Sequence, residues 1–278
     1  MEIGRLRQDY HREICRQIAY TDALGIPNIA DRSMISSSLI AKALFERLPY
    51  PCVQSPVSGQ TAGRLFEILT RSFLEQAFAL LNPLRPGQWF FSTADISAFE
   101  QYAHLALVQR ALEENPALAT VFGGDYLIKP DIVIARHPLD DAQINQETSV
   151  VSDDDTSAAL TPLRSANQKR PLLHASISCK WTIRSDRAQN TRAEALNLIR
   201  NRKGRTPFIM VVTAEPLPSR LASLTMGTGD LDCTYHFALP ELIEATRTTN
   251  QDQHEMLMTM VSGQRLRDIS DLPFDLAI

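Results

Sequence analysis

The sequence predicts an α/β protein: a central mixed β-sheet flanked by helices on both faces. Three observations carry that expectation. The segment LLHASISCKW (172–181) alternates cleanly, as a strand does. A short polar link and a helical pattern over 191–203 follow it. Then comes FIMVVT (208–213), apolar enough to be buried on both sides. Strand, helix and buried strand in that order form a crossover unit, which implies parallel pairing.

The other elements follow in chain order. Residues 1–50 read as helical, with breaks at Gly25-Ile26-Pro27 and Pro49-Tyr50-Pro51. The clearest long helix is 61–81, where Phe66, Leu69, Phe73, Ala77 and Leu80 make an apolar stripe that Asn82-Pro83 ends. A further helix is expected over 96–114, closed by Asn115-Pro116. Strand character begins near Tyr126 in YLIKPDIVIAR and is interrupted at Pro130. From Pro138 to about Lys169 the chain is rich in Asp, Ser, Thr, Gln and Asn, which reads as an exposed insertion at 138–170. The strands on either side of it look like parts of one sheet. We therefore expect one domain over 1–278, without internal repeats.

Composition excludes several classes. With 44% hydrophobic and 22% charged residues the chain can bury a core, and no apolar run is long enough to span a bilayer. The charged N-terminus lacks a signal-peptide core, so a cytoplasmic protein is expected. Cys15, Cys52, Cys179 and Cys233 are far apart and show neither zinc-site nor disulfide spacing, so reduced thiols are expected. Gly227-x-Gly229 lacks the rest of a dinucleotide fingerprint, His254-Glu255 has no second histidine, and no Walker lysine loop occurs, so no ATP dependence is expected. The net charge of −4 argues against a general nucleic-acid coat. Yet residues 164–205 hold eleven Lys and Arg against Asp186 and Glu194 alone, a local field suited to a polyanion. A solvated basic face would have the same composition.

The chemistry gathers around Lys180. Strand alternation puts Ala175, Ile177, Cys179 and Trp181 on one face, and His174, Ser176, Ser178 and Lys180 on the other. If that second face is covered, the ammonium needs an anionic partner. Candidates are Asp131, held by Pro130 at a strand start, Glu194 on the following helix, and Glu67 on the long early helix. Carboxylates beside a lysine suit a hard divalent cation such as Mg²⁺, which keeps waters that become nucleophiles. Lysine then orients the water and offsets charge on the phosphate. Plainer readings exist for each residue. Thr191-x-x-Glu194 reads as a capping box, Asp131 as a turn residue, Lys180 as a snorkelling side chain and Glu67 as a solvated one.

The combination Pro130-Asp131, Ser178-Cys179-Lys180 and Glu194 resembles the PD-(D/E)XK nuclease core. It is similar to the CCGG-recognising type II restriction enzymes, in which the second acid sits on the following helix and Ser178 takes the place of the usual acid. Arg184-Ser185-Asp186-Arg187 resembles the R-(S/P)-(D/E)-R element with which those enzymes read CCGG. The chemistry fits, since arginine donates twice to guanine and aspartate accepts from cytosine. The stretch SCKWTIRSDRAQNTRAEALNLIRNRKG resembles NgoMIV-type endonucleases, as does QTAGRLFEILTRSFL with Glu67 as an additional active-site acid. Matching segments span roughly residues 28 to 240.

That resemblance implies a restriction-endonuclease-like fold and a Mg²⁺-dependent type II restriction endonuclease, with one or two ions per site. It implies cleavage of double-stranded DNA at GCCGGC after the first G, leaving 5′-CCGG overhangs. Asp131 and Glu194 would hold the metal with the Cys179 carbonyl. Lys180 would position the water, with Ser178 and Glu67 in support. Arg184, Asp186 and Arg187 would read the inner bases, Arg220 and Asp31 the outer pair, and Gln60 the minor groove. A palindrome demands two-fold symmetry, hence a dimer at least, and the resemblance implies a homotetramer. Two other readings stay open on the residues alone: a structure-selective repair nuclease of the same core, and a non-catalytic DNA-binding regulator on that scaffold.

Overall fold

Ser58 starts the longest helix of the protein. Its hydroxyl accepts the Thr61 backbone N–H at 3.2 Å, satisfying one donor that the first turn leaves open. The helix is the third in the chain. In this computed structural model, which describes residues 1–122, 128–152, 156–227 and 229–278, two more precede it: α1 (Glu2–Gln17) and α2 (Ile35–Phe45), with α3 at Gly59–Leu81. Within those ranges the side chains of 118, 119, 122 and 185–187 are not described.

The chain divides into two compact units. The first comprises Met1–Arg85, Ile177–Ala195 and Ile209–Ile278; the second comprises Pro86–Ser176 and Leu196–Phe208. In chain order after α3 come β1 (Trp89–Ser92), two short 3₁₀ turns, α4 (Leu105–Glu114), α5 (Pro116–Phe122), β2 (Ile132–Arg136) and α6 (Asp141–Ile144). Next are β3 (Leu172–Lys180), α7 (Ser185–Asn201), β4 (Phe208–Thr213), α8 (Pro218–Thr225) and β5 (Cys233–His236). The chain closes with α9 (Leu239–Thr249), α10 (Gln251–Ser262), β6 (Leu266–Asp268) and α11 (Leu272–Asp275).

Strand order in the sheet follows chain order, β1-β2-β3-β4-β5-β6. The sheet is mixed: β1 and β2 are antiparallel, with Trp89 opposite Arg136, whereas β4, β5 and β6 run parallel. The expected α/β class is what the chain forms. Both faces of β3 are buried where it matters. Ala175 and Ile177 are fully enclosed, and His174 and Ser176 on the opposite side are nearly so. His174 fits there because it packs as a ring, 4.8 Å from Trp89 and 5.2 Å from Phe208.

In the first unit α3 buries Ala62, Phe66, Thr70, Phe73, Leu74, Ala77 and Phe78. Relative to the expected stripe, the buried face is rotated: Leu80 is exposed and Leu69 only half-buried. Thr70 explains the rotation. The Tyr10 hydroxyl of α1 meets its hydroxyl at 2.8 Å, and the Tyr10 ring lies 5.3 Å from Phe73. A buried polar pair of this kind is invisible to an apolar count. Burying a side chain such as Phe66 stabilises by about 2 kcal/mol. Arg7 ties α1 to the C-terminal elements through Glu241 (2.6 and 2.9 Å) and Asp268 (2.8 and 2.9 Å).

Two element boundaries differ from the sequence expectation. Instead of one helix over 96–114, 3₁₀ turns at Ile96–Ala98 and Glu100–Tyr102 precede α4. Gln101 is committed to β3, donating to the Leu173 carbonyl at 2.7 Å and accepting the Leu173 N–H at 3.0 Å. The Tyr102 hydroxyl donates to the Leu198 carbonyl at 2.9 Å. Continuous α-helix would not hold these side chains in place. Likewise α7 begins at Ser185 rather than near Thr191.

The strand expected from Tyr126 is described only from Ile128, and its ordered part is β2; 123–127 lie outside the described residues. In 138–170, Arg164 is buried and pairs with Asp141 at the start of α6, while Asn145 holds Val150 and Val151. Asp153, Asp154 and Asp155 are outside the described residues. Among the described residues, no helix is long and apolar enough to cross a membrane.

Candidate active site

A cleft of about 720 Å³ opens in the first unit. It is lined by Gln60 and Glu67 of α3, Cys179 and Lys180 at the end of β3, Arg184 just before α7, and Glu194 of α7. Six residues singled out from widely separated parts of the sequence thus face one space. The helical repeat accounts for the α3 pair, because Gln60 and Glu67 are seven positions, or two turns, apart.

Glu194 lies well inside α7, and Thr191 is a buried residue of the same helix. Neither belongs to the first turn, so the capping-box reading of this pair does not hold. Cys179 is buried, as the core face of the strand requires. Lys180 is half-buried at the strand end, where its carbonyl accepts from Thr213 Oγ1 at 2.8 Å and from the Ala214 N–H at 3.2 Å. Ser178 lies on β3 and is half-buried. Asp131 is half-buried and directly precedes β2, in the second unit.

Arg184-Ser185-Asp186-Arg187 runs from the link into the first turn of α7. Arg184 is exposed; the side chains of Asp186 and Arg187 lie outside the description. Arg220 sits in the first turn of α8 and forms an ion pair with Asp31, so these two distant residues meet. The Ser33 hydroxyl and backbone N–H, and then Arg220, hold the Asp31 carboxyl down to about 2. Arg220 Nη1 also donates to the Ile183 carbonyl at 3.3 Å.

Four polar side chains of the cleft escape sequence reasoning: Asn28, Arg64, Thr182 and Asn190. Arg64 was findable, since it lies one turn from Gln60 and nearly one turn from Glu67 on the same helical face. The basic stretch also proves less uniform than composition suggests. Arg164 pairs with Asp141, and Arg192 donates to Asp230 at 3.1 and 3.2 Å and to the Ser223 carbonyl at 2.9 Å. Both are structural cations.

Comparison with known proteins shows the family. The sequence profile of the NgoMIV restriction enzyme family matches residues 10–278. The chain belongs to that family. It is 46% identical over 280 residues to the type II restriction enzyme NgoMIV of Neisseria gonorrhoeae, covering 98% of this chain and 97% of that one. Among solved structures, the type IIF restriction endonuclease Bse634I with cognate DNA is similar over 92% of each chain, with 13% identity and a TM-score of 0.39. The restriction endonuclease PspGI with substrate DNA is similar over 99% of this chain and 91% of that one, with 13% identity and a TM-score of 0.25. Membership in the NgoMIV restriction enzyme family assigns the activity at the coarse level: DNA binding and its site-specific hydrolysis.

Among the described residues no three His, Cys, Asp or Glu side chains form a ready metal cage. That is compatible with Mg²⁺, which retains several waters and needs only one or two carboxylates. Glu67 and Glu194 supply such hard oxygens within the cleft that Lys180 also lines.

Proposed function

We propose that this endonuclease cuts double-stranded DNA at GCCGGC after the first G, leaving 5′-CCGG overhangs. The observation that carries the reading is the single cleft that holds Glu67, Lys180 and Glu194 with Arg184 beside them. Asp131 and Glu194 hold one or two Mg²⁺ ions together with the Cys179 carbonyl. When bound, the metal supplies Lewis acidity toward the phosphate and a more acidic water. Lys180 positions the attacking water and offsets charge on the phosphate, while Glu67 and Ser178 support the metal-binding groups.

Arg184, Asp186 and Arg187 read the inner CCGG. Two N–H donors of an arginine match guanine O6 and N7, and a carboxylate matches the cytosine amino group. Arg220 and Asp31 read the outer pair by the same chemistry, and Gln60 contacts the minor groove. Their ion pair supports joint action on one base pair, because it brings both side chains to one place. A two-fold site calls for a dimer at least, and family resemblance supports a homotetramer.

The test is digestion of a plasmid carrying one GCCGGC, with Mg²⁺ and with EDTA, followed by sequencing of the ends. Discrete Mg²⁺-dependent cutting after the first G is expected. Cutting at another CCGG-containing site would discard Arg220 and Asp31 as outer readers and keep the inner ones. Absence of cutting in this plasmid and in mixed genomic DNA would overturn the proposal.

A further inference from the structure

Glu215 is a buried acid that no step above uses. It follows β4, its side chain has no exposure, and both carboxylate oxygens accept backbone N–H groups, one from the link before α7 and one two residues farther along its own segment. Oε2 accepts from Ile183 at 2.9 Å, and Oε1 accepts from Leu217 at 3.2 Å. Ile183 immediately precedes Arg184 and α7, and Leu217 is the N-cap residue of α8. Arg220, in the first turn of α8, closes the loop. Its Nη1 donates to the Ile183 carbonyl at 3.3 Å and lies 4.0 Å from Glu215 Oε2. Both backbone polar groups of Ile183 are therefore held, one by Glu215 and the other by Arg220.

The same cluster reaches the end of β3. The Glu215 N–H donates to Thr213 Oγ1 at 3.1 Å, and that hydroxyl donates to the Lys180 carbonyl at 2.8 Å. At the far end of α8, Arg192 of α7 donates to the carbonyls of Ser223 and Met226 and to Asp230. Helix α8 is thus fastened to the start of α7 at one end and to its body at the other.

We propose that Glu215 is a positioning residue for sequence readout, holding α8, and Arg220 on it, in register with the Arg184–Arg187 turn. The inference rests on reading Arg184, Asp186 and Arg187 as inner-base readers and Arg220 with Asp31 as outer-base readers. The physical ground is the geometry of a carboxylate. When ionised it offers acceptors on both oxygens and so bridges two N–H donors from separate segments, which no apolar side chain does. Burial pushes the Glu215 carboxyl up to about 7. An apolar residue of similar volume would avoid that desolvation and would serve packing as well or better. The acid is accounted for by the bridge it makes.

Glu215→Gln tests this, since an amide presents one acceptor and one donor, and the donor would face a backbone N–H. Full-length wild type and E215Q are compared on three duplexes of equal length: GCCGGC, an outer-pair variant ACCGGT and an inner-pair variant GCATGC. The readout is the kcat/KM ratio between GCCGGC and each variant. E215Q is expected to reduce the outer ratio at least tenfold while the inner ratio stays within about threefold. Equal loss of both ratios would show general loosening and overturn the positioning role, as would two unchanged ratios. If E215Q does not fold, R192Q decides, because it frees the other end of α8. A selective fall in the outer ratio supports the inference, and an unchanged outer ratio overturns it. Wild-type protein that leaves GCCGGC uncut refutes the readout assignments themselves, which separates that failure from failure of the Glu215 role.

Discussion

At the scale of single residues, the roles proposed for Lys180 in cleavage and for Arg187 in recognition are separately testable. Lys180 sits at the end of a strand whose carbonyl is pinned by Thr213 and Ala214, so its backbone position does not depend on its side chain. Lys180→Ala is accordingly expected to lose cleavage while retaining specific binding, measured by gel shift on GCCGGC duplex with Ca²⁺ in place of Mg²⁺. Loss of specific binding in that variant would remove Lys180 from the purely catalytic role. Arg187 lies in the first turn of α7. Arg187→Ala should lower discrimination at the inner bases by roughly 1–3 kcal/mol, read as relative cleavage of inner-pair variants. Undiminished inner discrimination would exclude it from the reading set. The residue types and their order were legible in the sequence, because chemistry restricts which side chains suit a metal or a guanine edge. The engagement of Arg192 was not. An arginine that donates to Asp230 and to carbonyls of another helix carries no local mark distinguishing it from one that meets a phosphate.

At the scale of elements, β3 was readable from its alternation, β4 from an unbroken apolar run and α3 from its helical apolar spacing. The start of α7 was not, since its first turn is polar and the apolar pattern that marks a helix begins only farther along. The pairing of Gly227 with Arg192 belongs to the same scale. Gly227 has φ +151°, and a Cβ there would lie 2.5 Å from an Arg192 nitrogen. The positive φ calls for glycine, and a side chain there would also have to push aside the Arg192 guanidinium that closes the end of α8. Gly227→Val is therefore expected to destabilise the first unit by about 1–3 kcal/mol, seen as a lower urea midpoint. An unchanged midpoint would show that Arg192 does not brace α8. The glycine pair that looks like a fragment of a nucleotide motif is thus an accommodation of a side chain, at least at its first member.

At the scale of the whole molecule, a buried acid and two buried histidines oppose each other in their response to pH. Burial pushes Glu215 up to about 7, so the folded protein holds a proton that the unfolded chain releases near 4.5. Its contribution to stability is full below 4.5 and declines as pH rises to about 7. Burial lowers His236 to about 4, and it lowers His11 as well. For these the unfolded chain takes up the proton first, so their contribution is full above about 6.5 and is lost as pH falls. Between pH 5 and 7 the opposing slopes partly cancel in the wild type. E215Q removes one of them, and its stability should fall by about 2–3 kcal/mol more than that of wild type on going from pH 7 to pH 5. Urea unfolding at the two pH values measures this, and parallel losses in the two proteins would show that Glu215 does not titrate in that window.

The α/β class, the strand that ends at Lys180 and a set of acids suited to a divalent cation were legible in the chain from periodicity and functional groups, which are local. Resemblance to a known family added the reading of a specific DNA site. Tertiary structure alone decided that Gln60, Glu67, Lys180, Arg184 and Glu194 share one cleft, that Asp31 meets Arg220, and that Glu215 bridges two segments. Such contacts join positions up to 189 residues apart. They exist only once burial excludes water and the N–H groups of one segment must find their acceptors on another.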